Sequence, residues 1–153
     1  MFIFNISNGA EPQWEGQFNH ANACDPVVAD DHYAYVTLRA GTFCQGTNNQ
    51  LDVIDISNVM SPSLVKTYSL HNPHGLGKDG NLLWVCDGTD GLKLFDATQA
   101  NNLRQIKRIQ NIEAFDVIPL SGRMIVVGKG GLYQYDYTNL DNIRLLSKLS
   151  VIQ

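Results

Sequence analysis

The sequence predicts an all-β fold made of repeated four-stranded sheets, and two observations carry this prediction. An apolar stretch followed by Asn or Asp, any residue, and Ser or Thr occurs four times, with anchors at Asn5, Asp55, Asp96 and Asp136. The anchors lie 50, 41 and 40 residues apart, and the same order of short apolar runs surrounds each of the last three. Four short strands in roughly forty residues are typical of a β-propeller blade.

Each repeat contains its predicted strands in a fixed order, and the third strand carries the anchor. The first strands are the runs at 27–28, 76 and 117–118, the second strands those at 33–36, 83–86 and 124–127, and the fourth strands those at 64–68, 103–109 and 143–149. We predict one partial propeller domain, with a half blade at 1–19 and blades at 20–70, 71–110 and 111–153. This makes about three and a half blades, either an incomplete ring or a fragment of a larger propeller.

The composition of the third and fourth strands favours a stack of blades. Leu51, Val53, Ile54 and Ile56 do not alternate with polar residues, so we expect this strand to be buried on both faces, as in a sheet held between two others. Six of the eleven Lys and Arg residues fall in the fourth strands. Because the fourth strand is the outer edge of a blade, we interpret these charges as protection against pairing with other chains.

Several residues receive structural interpretations. The carboxylate of each anchor Asp is expected to accept hydrogen bonds from the backbone just downstream and so to fix a turn. Trp14 and Trp84 lie within predicted strands, and we expect both to pack in the interior rather than to form carbohydrate platforms. Cys86, in an apolar strand, is expected to be a small core residue.

The first complete repeat resembles a known family. Residues 51–57, followed by Ser61-Pro62 and Leu64-Val65, are similar to the LVIVD repeat, and the other repeats fit the same pattern. The last repeat is looser, since Tyr133-Gln134-Tyr135 replaces the aliphatic run. The resemblance implies a β-propeller of bacterial proteins that are often exported and surface-associated, and it implies no well-defined activity. An extracytoplasmic location, in the periplasm or at the cell surface, is therefore expected.

Charge and hydropathy restrict the partners. The net charge is -4 and the pI about 5.4, which argues against nucleic acid, because nucleic-acid binding favours a basic surface. No apolar run approaches the ~20 residues of a transmembrane helix. Met1 leads directly into a strand-like segment and not into a signal peptide.

The predicted half blade leaves the ring open. Its first two strands are missing, and three and a half blades would leave two apolar blade faces uncovered. Either the remaining blades of a longer chain or a second copy of this chain would cover them. The longer chain is preferred, because a second copy would not complete the two-stranded halves.

Propellers bind ligands at the mouth of the central channel, which the loops from a fourth strand to the next first strand surround. The polar residues of these loops are His20, Asn22, Asp25, His71, Asn72, His74, Glu113 and Asp116. Alignment of the first strands makes Asp25, His74 and Phe115 equivalent, one per blade, at the channel entrance. The fourth histidine, His32, is predicted at the opposite end. Each residue taken singly is more simply a polar loop residue, and the cluster is the predicted binding site.

Two cysteines fall near the same mouth. Cys24 precedes a first strand, and Cys44 lies in the loop 39–50, which is longer than the corresponding loops of the other repeats. A disulfide between them is one prediction, and it would place the protein outside the cytoplasm. Two free thiols or a shared metal are the alternatives. The inserted loop itself is interpreted as a specificity loop or as a disulfide-tied lid.

Two functions are compatible with these features. The first is a non-catalytic binding or interaction scaffold, for a protein or small-molecule ligand, with no cofactor. The second is a metal-dependent propeller hydrolase in which His74, Asp25 and Asp116 hold a divalent metal at the channel mouth, since imidazole and carboxylate are common metal ligands. No hydrolase, phosphate-loop or zinc-binding motif occurs in the sequence. We therefore favour the scaffold.

Overall fold

The computed structural model describes residues 1–19, 26–41 and 47–151, and the regular structure of these residues is β-strand apart from one 3₁₀ turn at Ala100–Asn102. Within each sheet, consecutive strands pair antiparallel, so each sheet is a meander. This confirms the predicted all-β class with four-stranded blades. Within the described part of the chain, no helix has the length and apolar character that a membrane span requires.

The strands form one two-stranded sheet and three four-stranded sheets. Blade 1 contains β1 (Phe2–Asn5) and β2 (Gln13–Gln17), and blade 2 contains β3 (Val27–Ala29), β4 (Tyr33–Leu38), β5 (Gln50–Asp55) and β6 (Ser63–Ser69). Blade 3 contains β7 (Leu76–Asp79), β8 (Leu82–Cys86), β9 (Leu92–Asp96) and β10 (Arg104–Ile109). Blade 4 contains β11 (Ala114–Pro119), β12 (Arg123–Gly128), β13 (Gly131–Asp136) and β14 (Arg144–Ser150).

The pairing registers make the complete blades equivalent residue by residue. Asp55, Asp96 and Asp136 each end a third strand opposite the first residue of the second strand. The first strands align in the same way, because one residue of each lies opposite the fourth residue of the second strand: Val27, Leu76 and Val117. The equivalence inferred from the sequence pattern is thus a property of the hydrogen-bonded ladders.

The blades stack face against face. One core cluster joins blades 2 and 3 and includes Tyr35, Leu51 and Leu83, and a second cluster joins blades 3 and 4 and includes Trp84 and Met124. The inner strand β7 lies against β3 on one side and β11 on the other. Since the inner strands of consecutive blades are in contact, these strands surround the axis of the propeller.

The two faces of a blade have distinct partners. We call the side turned toward the next blade along the chain the forward face and the opposite side the backward face. The forward face of blade 3 consists of Trp84, Cys86, Leu92 and Leu94, which are all 0% exposed because blade 4 covers them. The register places Ile125, Val127, Leu132 and Gln134 at the same four positions of blade 4. No described blade covers that face, and Leu132 is 42% exposed.

The third strand of blade 2 is buried on both faces, as predicted. Leu51, Val53 and Ile54 are each 0% exposed. The third strand of blade 4 differs, since Tyr135 is buried against blade 3 while Leu132 faces outward. Burial on both faces therefore depends on having two neighbouring blades and is not an intrinsic property of the repeat.

The anchor motif forms the predicted turn. The Oδ1 atom of Asp136 accepts hydrogen bonds from the backbone N–H of Thr138 at 2.9 Å and from its hydroxyl at 2.6 Å, and Asp96 does the same with Thr98. These bonds, together with the Arg144 guanidinium on the outer strand, lower the pKa of Asp136 to about 2. In blades 3 and 4 the anchor Asp thus fixes the turn and also pairs with an arginine of the fourth strand.

The two tryptophans differ from one another. Trp84 is fully buried between blades 3 and 4, as expected, and Cys86 is buried beside it. Trp14 is 57% exposed, so the prediction that it packs in the interior is wrong. It pairs with Phe4 on a sheet of only two strands, and among the described residues no blade lies on the side to which both side chains point.

Leu92 and Leu132 occupy equivalent positions, but Leu92 is buried under the next blade and Leu132 is partly exposed. Substitutions at the two positions therefore test whether the forward face of blade 4 is uncovered. We expect Leu92→Ala to lower the free energy of unfolding by about 2–5 kcal/mol, because it leaves a cavity in a closed core. Leu132→Ala should cost less than about 1 kcal/mol, because much of the side chain is already in water. Urea denaturation at low protein concentration measures both. Equal losses would show that the forward face of blade 4 is covered.

Candidate functional site

The predicted site lies where three blades meet at one end of the inner strands. The backbone N–H of His74 donates to the Cys86 carbonyl at 2.8 Å, and the N–H of Gly75 donates to the Phe115 carbonyl of blade 4, also at 2.8 Å. The Thr37 hydroxyl of blade 2 donates to the His74 carbonyl at 2.6 Å. The backbone just before β7 is therefore fixed by hydrogen bonds to all three complete blades.

This close approach explains the glycine that follows His74. A side chain on Gly75 would collide with the carboxylate and Cα of Asp116 on the neighbouring inner strand. Since backbone meets backbone at this point, the residue has to lack a Cβ. Gly75 thus allows β7 and β11 to approach closely enough for His74 and Phe115 to touch.

The His74 side chain contacts both neighbouring blades. Its ring centroid lies 5.1 Å from that of Phe115, with the planes tilted by 51°. On the other side, Arg39 Nη1 lies 2.7 Å from Nδ1 and 3.0 Å from Nε2, and Asn72 Nδ2 lies 3.3 Å from Nε2. Burial, and then the positive charge of Arg39, lower the pKa of His74. The imidazole is consequently neutral at pH 7, with one ring nitrogen as donor and the other as acceptor.

A buried carboxylate supports the connection that carries these residues. Asp87 is 0% exposed, and its oxygens accept hydrogen bonds from the backbone N–H groups of His71 at 3.0 Å and Asn72 at 2.7 Å. Its charge is balanced by Lys93, whose Nζ lies 2.5 Å from Oδ2. Lys93 also pairs with Asp90 at 2.7 Å. The turn from blade 2 to blade 3 is thus tied to the interior of blade 3.

Lys93 remains charged in this setting. Burial by itself would lower the pKa of Lys93, but hydrogen bonds and attraction to Asp87 and Asp90 outweigh it, so that the pKa is raised. Removal of one partner of a buried ion pair lowers the free energy of unfolding, because the other partner is left as an uncompensated charge. The loss is greater where the pair also accepts hydrogen bonds from the backbone.

The structure brings some of the predicted site residues together and does not describe others. His74 and Phe115 are in contact, and Asp116 lies beside Gly75 with its Oδ1 accepting from the N–H of Val117 at 2.9 Å. His71 is exposed and is held through its backbone, since its carbonyl accepts from Asn49 Nδ2 at 2.6 Å. His20 and Asp25 lie outside the described residues, as do both members of the predicted Cys24–Cys44 pair. The roles assigned to all of them stay predictions.

Four residues of the site were not predicted from the sequence: Thr37, Arg39, Asp87 and Lys93. For the last two a signal existed: Lys93 stands inside a strand that is otherwise apolar, and a lysine so placed needs a buried carboxylate nearby. Asp87 and Asp90, in the short turn between β8 and β9, were the candidates. No comparable signal pointed to Arg39, because its contact with His74 joins two blades that are distant in sequence.

Metal binding at this mouth stays a prediction. No group of three His, Cys, Asp or Glu side chains in the described ranges could hold a metal ion. The proposed ligand set includes Asp25, which is not among them. In the arrangement that is described, the guanidinium of Arg39 lies beside both nitrogens of His74, where it would repel a second cation.

A second concave region lies at the opposite end, between blades 2 and 3. It is a cavity of about 340 Å³ whose lining includes His32, Tyr33, Tyr35 and Lys78. Lys78 pairs with Asp30 at 2.9 Å and lies 5.8 Å from the centre of the Tyr35 ring. Its lysine is thus paired with a carboxylate of the same cavity, and unlike the His74 mouth the cavity draws on two blades and not three.

Comparison with known proteins agrees with this architecture. Residues 22–69 match the LVIVD repeat. Two solved β-propeller structures share its fold: the N-terminal domain of Nup159, with a TM-score of 0.51 and 14% identity over 82% of this chain, and apo AztD from Citrobacter koseri, with a TM-score of 0.50 and 20% identity over 79%.

The chain spans about a third of each of those structures, 30% of the first and 34% of the second. At such low identity the likeness concerns the fold alone. No curated protein matches the chain. The comparisons therefore support a propeller scaffold, and the choice of ligand has to come from the site itself.

The buried ion pair gives a direct test of what holds the site. We expect Asp87→Ala to lower the free energy of unfolding by about 3–5 kcal/mol, because it leaves Lys93 poorly compensated and two backbone donors without their acceptor. Asp141→Ala, which removes an exposed carboxylate 3.1 Å from Lys107, should change it by less than about 0.5 kcal/mol. Thermal and urea unfolding measure both variants. Similar values for the two would contradict the role given to Asp87.

Proposed function

We propose that this chain is a non-catalytic binding scaffold, a segment of an LVIVD-repeat propeller that holds a protein or small-molecule ligand at the channel mouth. One observation carries the proposal: Arg39, His74 and Phe115, each from a different blade, meet at the end of the inner strands. A site that draws one side chain from each blade is fixed by the whole stack. Such a site is preorganised for a ligand that lies across the axis.

The chemistry of the site suits recognition. Phe115 is half-buried and offers an aromatic surface, the neutral imidazole of His74 can donate and accept, and Asn72 adds an amide. Their backbones are held by the Asp87 carboxylate and by the hydrogen bonds between blades. A ligand with an apolar ring or chain next to polar groups fits this combination.

The metal-dependent hydrolase remains the weaker alternative. It requires His74 to release Arg39 and to share a cation with Asp116 and Asp25. Metal analysis of the purified chain separates the two functions. Stoichiometric metal that is lost in His74→Ala and on chelation would favour the hydrolase, whereas an unchanged melting temperature in chelator would favour the scaffold.

The binding proposal is tested with a fragment library of anionic, cationic and neutral polar compounds, observed by ligand-detected NMR. We expect hits whose binding weakens at least about tenfold, that is by ~1.4 kcal/mol, in His74→Gln and Phe115→Leu. His32→Gln, at the opposite end of the blades, is the matched control and should bind as the unchanged chain does. Hits that survive both mouth substitutions would place the binding site elsewhere, and conversion of a hit to product would contradict a non-catalytic role.

We also propose that the protein works outside the cytoplasm, with Cys24 and Cys44 joined. Cys86 is buried, and burial raises the pKa of its thiol, so it should not react in the folded chain. With the disulfide formed, thiol titration without reductant should give no fast-reacting thiol in the folded protein and one after denaturation. In Cys86→Ala the denatured value should fall to zero. Three thiols in the unreduced, denatured chain isolated from the periplasm would contradict the disulfide.

A further inference from the structure

We infer that the cavity between blades 2 and 3 is a second binding site, and that it takes a hydroxylated aromatic ring. It lies at the end of the blades opposite His74 and contains none of the three side chains that meet at the mouth, so the inference does not depend on the proposed function. Its basis is a comparison of two equivalent junctions within the chain. The junction of blades 3 and 4 contains a tyrosine where the junction of blades 2 and 3 contains an alanine.

Ala97 and Tyr137 occupy the same position in their blades. Each directly follows the anchor Asp of a third strand, and each donates its backbone N–H, at 2.8 Å, to a carbonyl of the turn between the first two strands. These carbonyls belong to Asn81 and Gly122. Ala97 belongs to the core cluster that joins blades 2 and 3, and Tyr137 to the cluster that joins blades 3 and 4. The repeat therefore accepts a large aromatic side chain at this position.

Tyr137 shows how the position is used when a ring fills it. The ring centroid of Tyr137 lies 5.2 Å from that of Trp84, with the planes tilted by 58°. Its hydroxyl donates to Asp79 Oδ2 at 2.7 Å, at the end of the inner strand of blade 3. Burial, and then the hydrogen bond to Asp79, raise the pKa of Tyr137 to about 12. The hydroxyl therefore keeps its proton and remains a donor at pH 7.

Blade 2 presents the same two kinds of partner to Ala97. The hydrogen-bonded ladders place Tyr35 where blade 3 has Trp84, and Asp30 where blade 3 has Asp79. Tyr35 is buried in the same cluster as Ala97. An aromatic side chain and a carboxylate thus stand beside position 97, but the side chain of that position is only a methyl group.

The cavity of about 340 Å³ lies at this position, and its lining includes Ala97, Asp30 and Tyr35. This volume falls within the range of small-molecule sites. Lys78 also lines the cavity, with its Nζ 2.9 Å from Asp30 Oδ2 and 5.8 Å from the centre of the Tyr35 ring. Burial by itself would raise the pKa of Asp30, but hydrogen bonds from Lys78 and from the backbone outweigh it and lower the pKa. Asp30 is therefore a carboxylate at pH 7.

These groups define the chemistry of the ligand. An aromatic ring in the cavity packs against Tyr35 as Tyr137 packs against Trp84, and tilted aromatic pairs are favourable beyond the area that they bury. A hydroxyl group on that ring can donate to the Asp30 carboxylate and accept from the Lys78 ammonium at the same time. The ligand is thus a phenol group, either of a free phenolic compound or of a tyrosine side chain in a peptide.

The probe is p-cresol, which is the tyrosine side chain as a free molecule, and isothermal titration of the full chain measures its binding. Ala97→Tyr should weaken binding at least about tenfold, because the new ring occupies the cavity as Tyr137 occupies the next junction. 4-Methylanisole, which has no hydroxyl donor, should bind the unchanged chain about tenfold more weakly than p-cresol does. Ala97→Leu is the second variant in case Ala97→Tyr fails to fold, which circular dichroism would show.

His74→Gln is the control that separates this cavity from the mouth. It should leave p-cresol binding unchanged, whereas compounds that bind at the mouth lose affinity in it. Fragments that keep their affinity in the mouth variants and lose it in Ala97→Tyr belong to this cavity. Failure of either site is therefore seen without reference to the other.

Tyr137→Ala provides the reciprocal test, because it opens the equivalent space beside Trp84 and Asp79. The folded variant should bind a second molecule of p-cresol, and p-cresol should raise its melting temperature by more than that of the unchanged chain. Uptake of no second molecule would contradict the equivalence of the two junctions.

N-Acetyltyrosinamide distinguishes the two sources of the phenol group. Binding at least as tight as that of p-cresol assigns the cavity to a tyrosine of a peptide, and weaker binding assigns it to a free phenolic compound. The inference is overturned if the unchanged chain does not bind p-cresol at millimolar concentrations, or if folded Ala97→Tyr and Ala97→Leu bind it as tightly as the unchanged chain does.

Discussion

Burial of both faces of a sheet is the constraint on which this structure depends. Blade 3 is held between blades 2 and 4, and its second and third strands have essentially no exposed apolar side chain. A four-stranded meander alone would leave one or both faces in water and would be marginal. Each blade therefore gains its stability from its neighbours. Everything else in the molecule, including the position of the site, follows from how closely the inner strands approach one another.

The site shows how this constraint produces a functional geometry. The inner strands come close enough that glycine is required beside His74, and this approach brings side chains of blades 2, 3 and 4 together. The buried pair of Asp87 and Lys93 then ties the connecting turn to blade 3 through its backbone donors. Desolvation and Arg39 keep His74 neutral at pH 7. The arrangement is rigid and polar at the mouth of a stack, which suits binding better than proton transfer by a free imidazole.

The same constraint explains the open faces at the two ends. The register shows that Leu132 and Leu92 are the same position in two blades, and the difference in their exposure depends only on what lies beside them. Trp14 was expected in the interior because strands with aromatic residues are usually covered, and it is exposed because its sheet has two strands and an open side. The exposed aromatic and aliphatic groups of blades 1 and 4 thus occupy positions that are covered by neighbouring blades inside the stack.

The sequence alone determined the blade order, the turn made by each anchor, the position of the basic outer strands and the burial of Leu51 to Ile54, because all of these are local or repeat every forty or so residues. It also indicated which loop carries His71 and His74. The tertiary structure alone decided that Arg39, His74 and Phe115 are in contact, that Asp87 is the buried partner of Lys93, and which face of each end blade is open. These features depend on the distance between inner strands and on the stacking of whole sheets. A periodic pattern along one chain does not contain that information, because every repeat has the same pattern whether or not it has a neighbour.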